Sequence, residues 1–361
     1  MQSSRRIYFS YSQIYQISHA FPIYRRAGGT FLVRNLKQYL QFKKYTRGLK
    51  NSDDPWTLLR TPPVSIFDTR RAIRFPGVLV SSSAYDLHPA NRRIKTIYTG
   101  HGSGDKPYRG RHMYERMAAF DYHFITEPKN LQKLKDKGLD LPPERLVPIG
   151  NMRFDDYVNG VFDRRREAER LGIRDTGRRN ILYAPTWQWG RGSLLRLALR
   201  FGREVLHDGN LIIRPHSHDR RHLPKLKRAV KQERLTHIYF SNPSNLAADD
   251  TMADFAASDI LVADETSSVC YEYLITGKPV ILIPTRFEAV HQMPAALKIQ
   301  SVARHWDAER PLADQIREVL EGHERNAPAY RALRERCFYH NDGCSTQRAL
   351  DFITQLFEED L

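Results

Sequence analysis

Leu261-Val262-Ala263-Asp264-Glu265-Thr266-Ser267-Ser268-Val269-Cys270-Tyr271-Glu272-Tyr273 is the stretch whose reading decides the fold. With Ile260 in front, it opens as a short apolar run, the pattern of a strand buried on both faces. The run stops at two carboxylates and three hydroxyls. Apolar residues then recur at helical spacing from Val269 to Ile275, and Gly277 ends that helix. Lys278-Pro279-Val280-Ile281-Leu282-Ile283-Pro284 reads as the next strand. Strand, polar turn, helix, strand is the repeating unit of a parallel α/β sheet. Its turn carries the unpaired N–H groups of a helix start to the carboxyl edge of the sheet, where anions and phosphates bind. Thr266, Ser267 and Ser268 suit two roles there, capping the helix and donating to phosphate oxygens.

Outward from this stretch the same alternation recurs. Arg6–Tyr11, Thr30–Val33, Val64–Phe67, Gly77–Val80, Lys95–Tyr98 and Tyr122–Ile125 read as strands, with helical stretches at Gln13–Arg26 and Lys37–Tyr45. Composition shifts between Tyr157 and Asn180, through the charged run Arg164–Arg170 and the turn Asp175-Thr176-Gly177. A boundary is therefore expected near residue 160, with an N-terminal α/β domain over 1–160 and a C-terminal one over 161–361. Beyond the boundary, Ile181–Tyr183, Leu211–Ile213 and His237–Phe240 read as strands, and Leu194–Leu206 and Leu223–Leu235 as helices, the second strongly basic. The last segment, Ala329–Glu359, reads as helix broken at Tyr339–Gly343.

A length of 361 residues accommodates two such domains, and the net charge is +16. The excess is uneven: ten Lys or Arg precede the first acidic residue, Asp53. A basic face of this kind suits an anionic membrane surface, a polyphosphate substrate or nucleic acid. Interleaved aromatics (Tyr8, Phe9, Tyr11, Tyr15, Phe21, Tyr24, Phe42, Tyr45) fit either an interface-seeking surface or the core of the first domain. Nucleic acid is not expected as a partner, because no recognisable reading module accompanies the charge. Cys270, Cys337 and Cys344 form no paired spacing, so neither a disulfide framework nor a zinc motif is expected. No apolar run reaches the ~20 residues of a membrane span, and no signal-peptide core opens the chain. The expectation is a cytoplasmic protein, peripheral on the inner face of the cell membrane.

Chemistry in open α/β sheets sits just beyond the carboxyl ends of strands, and four further places fit. In Tyr98-Thr99-Gly100-His101-Gly102-Ser103-Gly104-Asp105-Lys106, glycines flank a histidine suited to general-base work, and Lys106 can pair with phosphate. Gly150-Asn151-Met152-Arg153-Phe154-Asp155 follows an apolar run, with an Arg153–Asp155 pair as its structural alternative. Tyr183-Ala184-Pro185-Thr186-Trp187 offers the Thr186 hydroxyl at a strand exit. In Ile213-Arg214-Pro215-His216-Ser217-His218, Arg214 can fork onto a phosphate and His216 can donate to a phosphoryl oxygen or hold a proton. His216, His218, His222 and Asp219 lack convincing ligand spacing, and Arg220 and Arg221 repel cations, so no metal is expected.

Together these residues resemble the CDP-glycerol glycerophosphotransferase family, the primases and polymerases of teichoic-acid-like polymers. His101 to Lys106 is similar to that family's His-Gly-x-x-x-Lys, and Gly150 to Asp155 to its Gly-x-Pro-Arg-x-Asp. Ala184 to Gln188 is similar to Ala-Pro-Thr-Trp-Arg, Arg214 to Ser217 to Arg-Pro-His-Pro, and Asp264 to Glu272 to Thr-Asp-Tyr-Ser-Ser-x-x-x-Asp. Asp342-Gly343-Cys344-Ser345-Thr346 is similar to the late Asp-Gly-x-x-Ser. The motifs come in family order, from about residue 97 to the end. Met152, Gln188, Glu265 and Glu272 depart from the pattern, which leaves CDP-ribitol open beside CDP-glycerol as donor.

The resemblance implies two Rossmann-like domains facing a central cleft, a GT-B-like arrangement, with C-terminal helices. It implies transfer of glycerol phosphate from CDP-glycerol to a lipid-linked or polymeric phosphate-rich acceptor, with release of CMP. In that reading His101 and His216 are catalytic. Arg214, Thr186, Thr266, Ser267, Ser268 and Glu272 bind the donor, and Gly102, Lys106, Arg153, Asp155, Asp264 and Glu265 contact phosphate or acceptor. A UDP-sugar glycosyltransferase or epimerase on the same architecture is the rival enzyme reading.

Overall fold

A computed structural model describes residues 6–47, 64–66, 76–83, 93–100, 102, 111–135, 138–175, 177–187, 191–241, 250–285 and 293–359. Two all-parallel sheets carry the fold. The first contains β1 (Arg6–Ser10), β2 (Thr30–Val33), β3 (Val64–Ile66), β4 (Gly77–Ser81), β5 (Ile94–Tyr98), β6 (Tyr122–Ile125) and β7 (Leu146–Pro148), in the order β3-β2-β1-β4-β5-β6-β7. The second contains β8 (Arg179–Tyr183), β9 (Gly209–Ile213), β10 (Ile238–Phe240), β11 (Ile260–Asp264), β12 (Val280–Ile283) and β13 (Arg304–His305), in the order β10-β9-β8-β11-β12-β13. In each, the order reverses once, between β1 and β4 and between β8 and β11, the doubly wound pattern that leaves a crevice at the reversal.

The central strands are buried on both faces, as their apolar runs require: Val78, Leu79, Val80, Leu261, Val262 and Ala263 are closed to solvent. The helix Leu194–Glu204 lays Leu194, Leu197, Ala198 and Phe201 against the second sheet, at the spacing of one helical face. In the first unit, helix Ile17–Ala27 packs through Ile17, Ala20, Phe21 and Ile23, and tolerates Pro22 within it. Phe9, Phe31 and Phe42 pack in series, with ring centroids 4.8 and 4.9 Å apart. Tyr8, Phe9, Tyr11, Phe21, Phe42 and Tyr45 are all buried. Most of the N-terminal aromatics are therefore core, and they do not form an interface-seeking surface.

Among the described residues, those up to Asn159 form one compact unit together with Phe338 onward, and Gly160–Cys337 form the other. This departs from the expected assignment of all of 161–361 to the second domain: the last helix, Ser345–Glu358, belongs to the first unit. The reason lies at Asp155. Its carboxylate accepts the Ser345 N–H at 3.0 Å and the Thr346 N–H at 2.6 Å, capping that helix across 190 residues of sequence. Gly150 makes the approach possible. Its φ is +86°, and a Cβ there would stand 2.6 Å from both Ser345 Oγ and the Tyr339 carbonyl oxygen. Asp155 thus makes this cap and not the Arg153–Asp155 pair of the structural alternative. The segments Gly150–Asp155 and Asp342–Thr346, far apart in the chain, are two halves of one joint.

β13 went unread in the sequence, since two residues carry no periodicity. Among the described residues, no helix is long and apolar enough to cross a membrane.

Candidate active site

At the reversal between β8 and β11 the sequence places Tyr183-Ala184-Pro185-Thr186 and Asp264-Glu265-Thr266-Ser267 side by side. Asp264 is buried, and its Oδ2 accepts the Thr186 N–H at 2.8 Å and the Ser193 N–H at 3.3 Å. Burial pushes its carboxyl above the ordinary value, while these donors pull the other way. One carboxylate thus pins the loop after β8 to the end of β11. Gly192 completes the fold of that loop: a Cβ there would lie 1.7 Å from the Thr186 carbonyl oxygen, so only glycine passes. The consequence for Thr186 is a fixed, buried position at the sheet edge.

Trp187, next in the loop, reaches the turn after β9. Its ring lies 6.5 Å from His216 in near-parallel planes and 4.8 Å from His218. His216 Nδ1 accepts the His218 backbone N–H at 3.2 Å. In a neutral ring that bond favours the tautomer with its proton on Nε2.

Arg214 is already engaged. Nη1 donates to Asp254 at 2.5 Å and to Ser241 Oγ at 2.8 Å, and Nη2 to Thr251 Oγ1 at 3.0 Å. Asp254 is fully buried and also takes Arg170 at 2.8 Å. Arg214 is therefore first a brace between the end of β9 and the helix Thr251–Ala257. Sequence reasoning missed Asp254; the signal was a carboxylate on the buried face of the apolar run Met252–Ala257.

The helix after β11 runs Ser268–Glu272 and tightens into a 3-10 turn over Tyr273–Thr276. Ser267 stands at its N-cap with extended backbone, but its side chain makes no capping hydrogen bond. Thr266, Ser267 and Glu272 are buried, and Ser268 is half-buried. Glu265 turns the other way: Oε1 accepts the Thr285 N–H at 2.9 Å, and Oε2 lies 3.3 Å from His305 Nε2. It thereby links the ends of β11, β12 and β13.

In the first unit, the turn after β5 holds Gly100 and Gly102 at φ +64° and +77°. His101 and Lys106 lie outside the described residues, as does Gln188. Thr99 Oγ1 is 3.1 Å from Ser82 Oγ, and Ser83 Oγ donates to Ser12 Oγ at 2.9 Å, so neutral hydroxyls line the reversal between β1 and β4. Arg153 is half-buried, with its backbone N–H held by Asn151 Oδ1. Of the expected residues, the second sheet brings together Thr186, Asp264, Glu265, Thr266 and Ser267 at one reversal, with Arg214 and His216 at the end of neighbouring β9.

Two doubly wound parallel sheets with helices make a GT-B-like α/β fold. The profile of the CDP-Glycerol:Poly(glycerophosphate) glycerophosphotransferase family matches residues 98–355, and the chain belongs to that family. It is an enzyme of the CDP-glycerol glycerophosphotransferase type. The wall teichoic acid polymerase TagF is similar in structure, with a TM-score of 0.64 at 16% identity over 99% of this chain and 90% of that one. A putative UDP-N-acetylglucosamine 2-epimerase from Listeria monocytogenes shares the fold at a TM-score of 0.56 and 13% identity, over 99% of this chain and 98% of that one. No curated protein matches the chain.

Proposed function

We propose that this enzyme transfers glycerol phosphate, or a similar polyol phosphate, from CDP-glycerol to a hydroxyl of a lipid-linked or polymeric phosphate-rich acceptor. CMP is released, and the product extends a teichoic-acid- or capsule-type polymer of the cell envelope. The observation that carries this reading is the family match, which spans every strand-end motif from Tyr98 onward.

The acceptor oxygen attacks the phosphorus that bears glycerol. A new P–O bond forms, the bond to the CMP oxygen breaks, and the acceptor proton passes to His101. His216, with its proton on Nε2, donates to a phosphoryl or departing oxygen. Charge building on the pyrophosphate is met by Arg214 and by the helix start at Ser267-Ser268, with Thr186 and Thr266 offering hydroxyls and no metal required. Glu272 holds a ribose or base hydroxyl. Arg153, Asp155, Asp264 and Glu265 serve by shaping the two strand-end regions, and Gly102 and Lys106 contact phosphate.

The same reading places the enzyme on the inner membrane face. Helix Leu36–Tyr45 supports it: Leu36 and Leu40 are each 57% exposed, one turn apart, with Lys37, Lys43 and Lys44 also exposed and no acidic residue in the helix. Leucine beside lysine is the pattern of a helix lying in an anionic interface.

The test is CMP release from CDP-glycerol with a glycerol-phosphate lipid acceptor, comparing wild type with His101→Ala and His216→Ala. Release that collapses by ~100-fold or more in both variants supports the reaction and its site. Turnover with a UDP-sugar instead would make the chain a glycosyltransferase or epimerase, and turnover with CDP-ribitol alone would change the donor.

A further inference from the structure

We infer that the outward face of helix Leu223–Gln232, with the turn before it and the residues just after, is a track for the phosphodiester chain of the acceptor. The inference rests on the reading of that acceptor as a polymer. The track begins at the candidate site, because the 3-10 turn Ser217–His222 follows directly on His216 and leads into the helix.

Between residues 220 and 234 seven cations are exposed: Arg220, Arg221, Lys225, Lys227, Arg228, Lys231 and Arg234. Leu226 and Val230 turn inward, so the helix is amphipathic, and every charged residue on its polar side is basic. One exposed carboxylate lies in this run, Glu233, and Arg203 from the neighbouring helix takes it with bonds of 2.7 and 2.9 Å. Asp219, just before the run, is buried. Arg221 meets His222 at 3.2 Å, and Arg228 the Pro224 carbonyl at 3.3 Å. Lys227 stands over the Phe240 ring at 5.2 Å. Among the described residues, none of the seven makes an ion pair with a carboxylate.

Such a face costs self-repulsion and is offset by a polyanion. Two features point to a hydrophilic polymer and away from a lipid surface. The face exposes no leucine, isoleucine or aromatic ring to insert, unlike helix Leu36–Tyr45. Its cations also follow one another at i, i+3 and i+6 (Lys225, Arg228, Lys231), roughly 4.5 Å of rise apart, as a line of phosphates along a strand demands. Duplex nucleic acid would need base-reading or stacking side chains beside the charge, and the exposed face carries none.

The test uses the triple variant Lys225→Glu/Arg228→Glu/Lys231→Glu and its neutral counterpart Lys225→Gln/Arg228→Gln/Lys231→Gln, each checked for an unchanged thermal melt. Binding is titrated against long poly(glycerol phosphate) over a range of salt, against phosphatidylglycerol vesicles and against duplex DNA. CMP release is followed on a one-unit acceptor. The expected result is at least tenfold weaker polymer binding in the charge-reversed variant, a lesser loss in the neutral one, and a salt slope lower by about 2. Vesicle binding and turnover on the one-unit acceptor stay as in wild type. Unchanged polymer affinity and salt slope overturn the inference. Loss of vesicle binding with polymer binding intact overturns it in favour of the membrane, and wild-type preference for DNA over the polymer overturns it in favour of nucleic acid. Polymer binding is read without turnover. A chain that releases no CMP from CDP-glycerol therefore refutes the proposed reaction separately.

Discussion

The two sheets share a strand order and differ in what they bury. At the second reversal a carboxylate, Asp264, organises the loop above it and does so at an electrostatic cost. The first reversal is held by neutral hydroxyls, Ser12, Ser82, Ser83 and Thr99. Further along in the first unit, on β6, a buried histidine, His123, packs against Tyr98 and Phe120. Burial first, and Arg145 second, lower its pKa from 6.5 to about 4, against a backbone bond at Met117. Its Nε2 has no hydrogen-bond partner. One topology thus supports a unit that acid should loosen and a strand end that acid should relax.

The largest effect expected is at Asp254. Asp254→Ala leaves Arg214 and Arg170 without their shared buried carboxylate, and should cost about 3–5 kcal/mol, read as a fall in the denaturation midpoint. An unchanged midpoint would show that the brace is dispensable.

Acid comes next and separates the units. The unfolded chain protonates His123 near 6.5 and the folded chain only near 4. Between these values the unfolded state holds more protons, so stability falls as pH drops through the window, by up to about 3 kcal/mol. Asp264 has the opposite sign. Its folded pKa is raised, so stability rises as pH falls from the raised value toward the ordinary carboxylate value. Hydrogen exchange measured unit by unit across acid pH should show β6 opening before β11. His123→Phe should flatten the first trend and Asp264→Asn the second; parallel loss in both units would break the contrast.

Asp155→Ala removes the cap on helix Ser345–Glu358 and should cost about 1–2 kcal/mol in the first unit, visible as faster exchange in that helix. Smallest of all, Ser83→Ala should change stability by about 1 kcal/mol or less, since it removes the neutral hydrogen bond to Ser12. A larger loss would mean that the hydroxyl cluster anchors its strand ends as firmly as Asp264 does.

The sheets were legible because buried parallel strands are unbroken apolar runs, and those at Gly77–Ser81 and Ile260–Asp264 declare themselves. The strand-end residues were legible for the same reason, since each polar cluster interrupts such a run. What stayed hidden is partnership. Nothing local marks Asp155 as a cap for a helix 190 residues away, Asp254 as the partner of Arg214, or Glu265 as the tie to His305. Those pairings arise from crossovers that sequence spacing does not encode, and they give Asp155, Arg214 and Glu265 a part in holding the fold.

The return of the last helix to the first unit has a consequence for biosynthesis. A ribosome emits Asp155 early and Ser345 late, with all of the second unit between them. The N-terminal half therefore waits for its final piece while its neighbour completes itself, and the order of folding runs against the order of synthesis. Through that interval the seat of the missing helix, including Tyr122 and Phe124 that meet Phe352, stands open to chaperones.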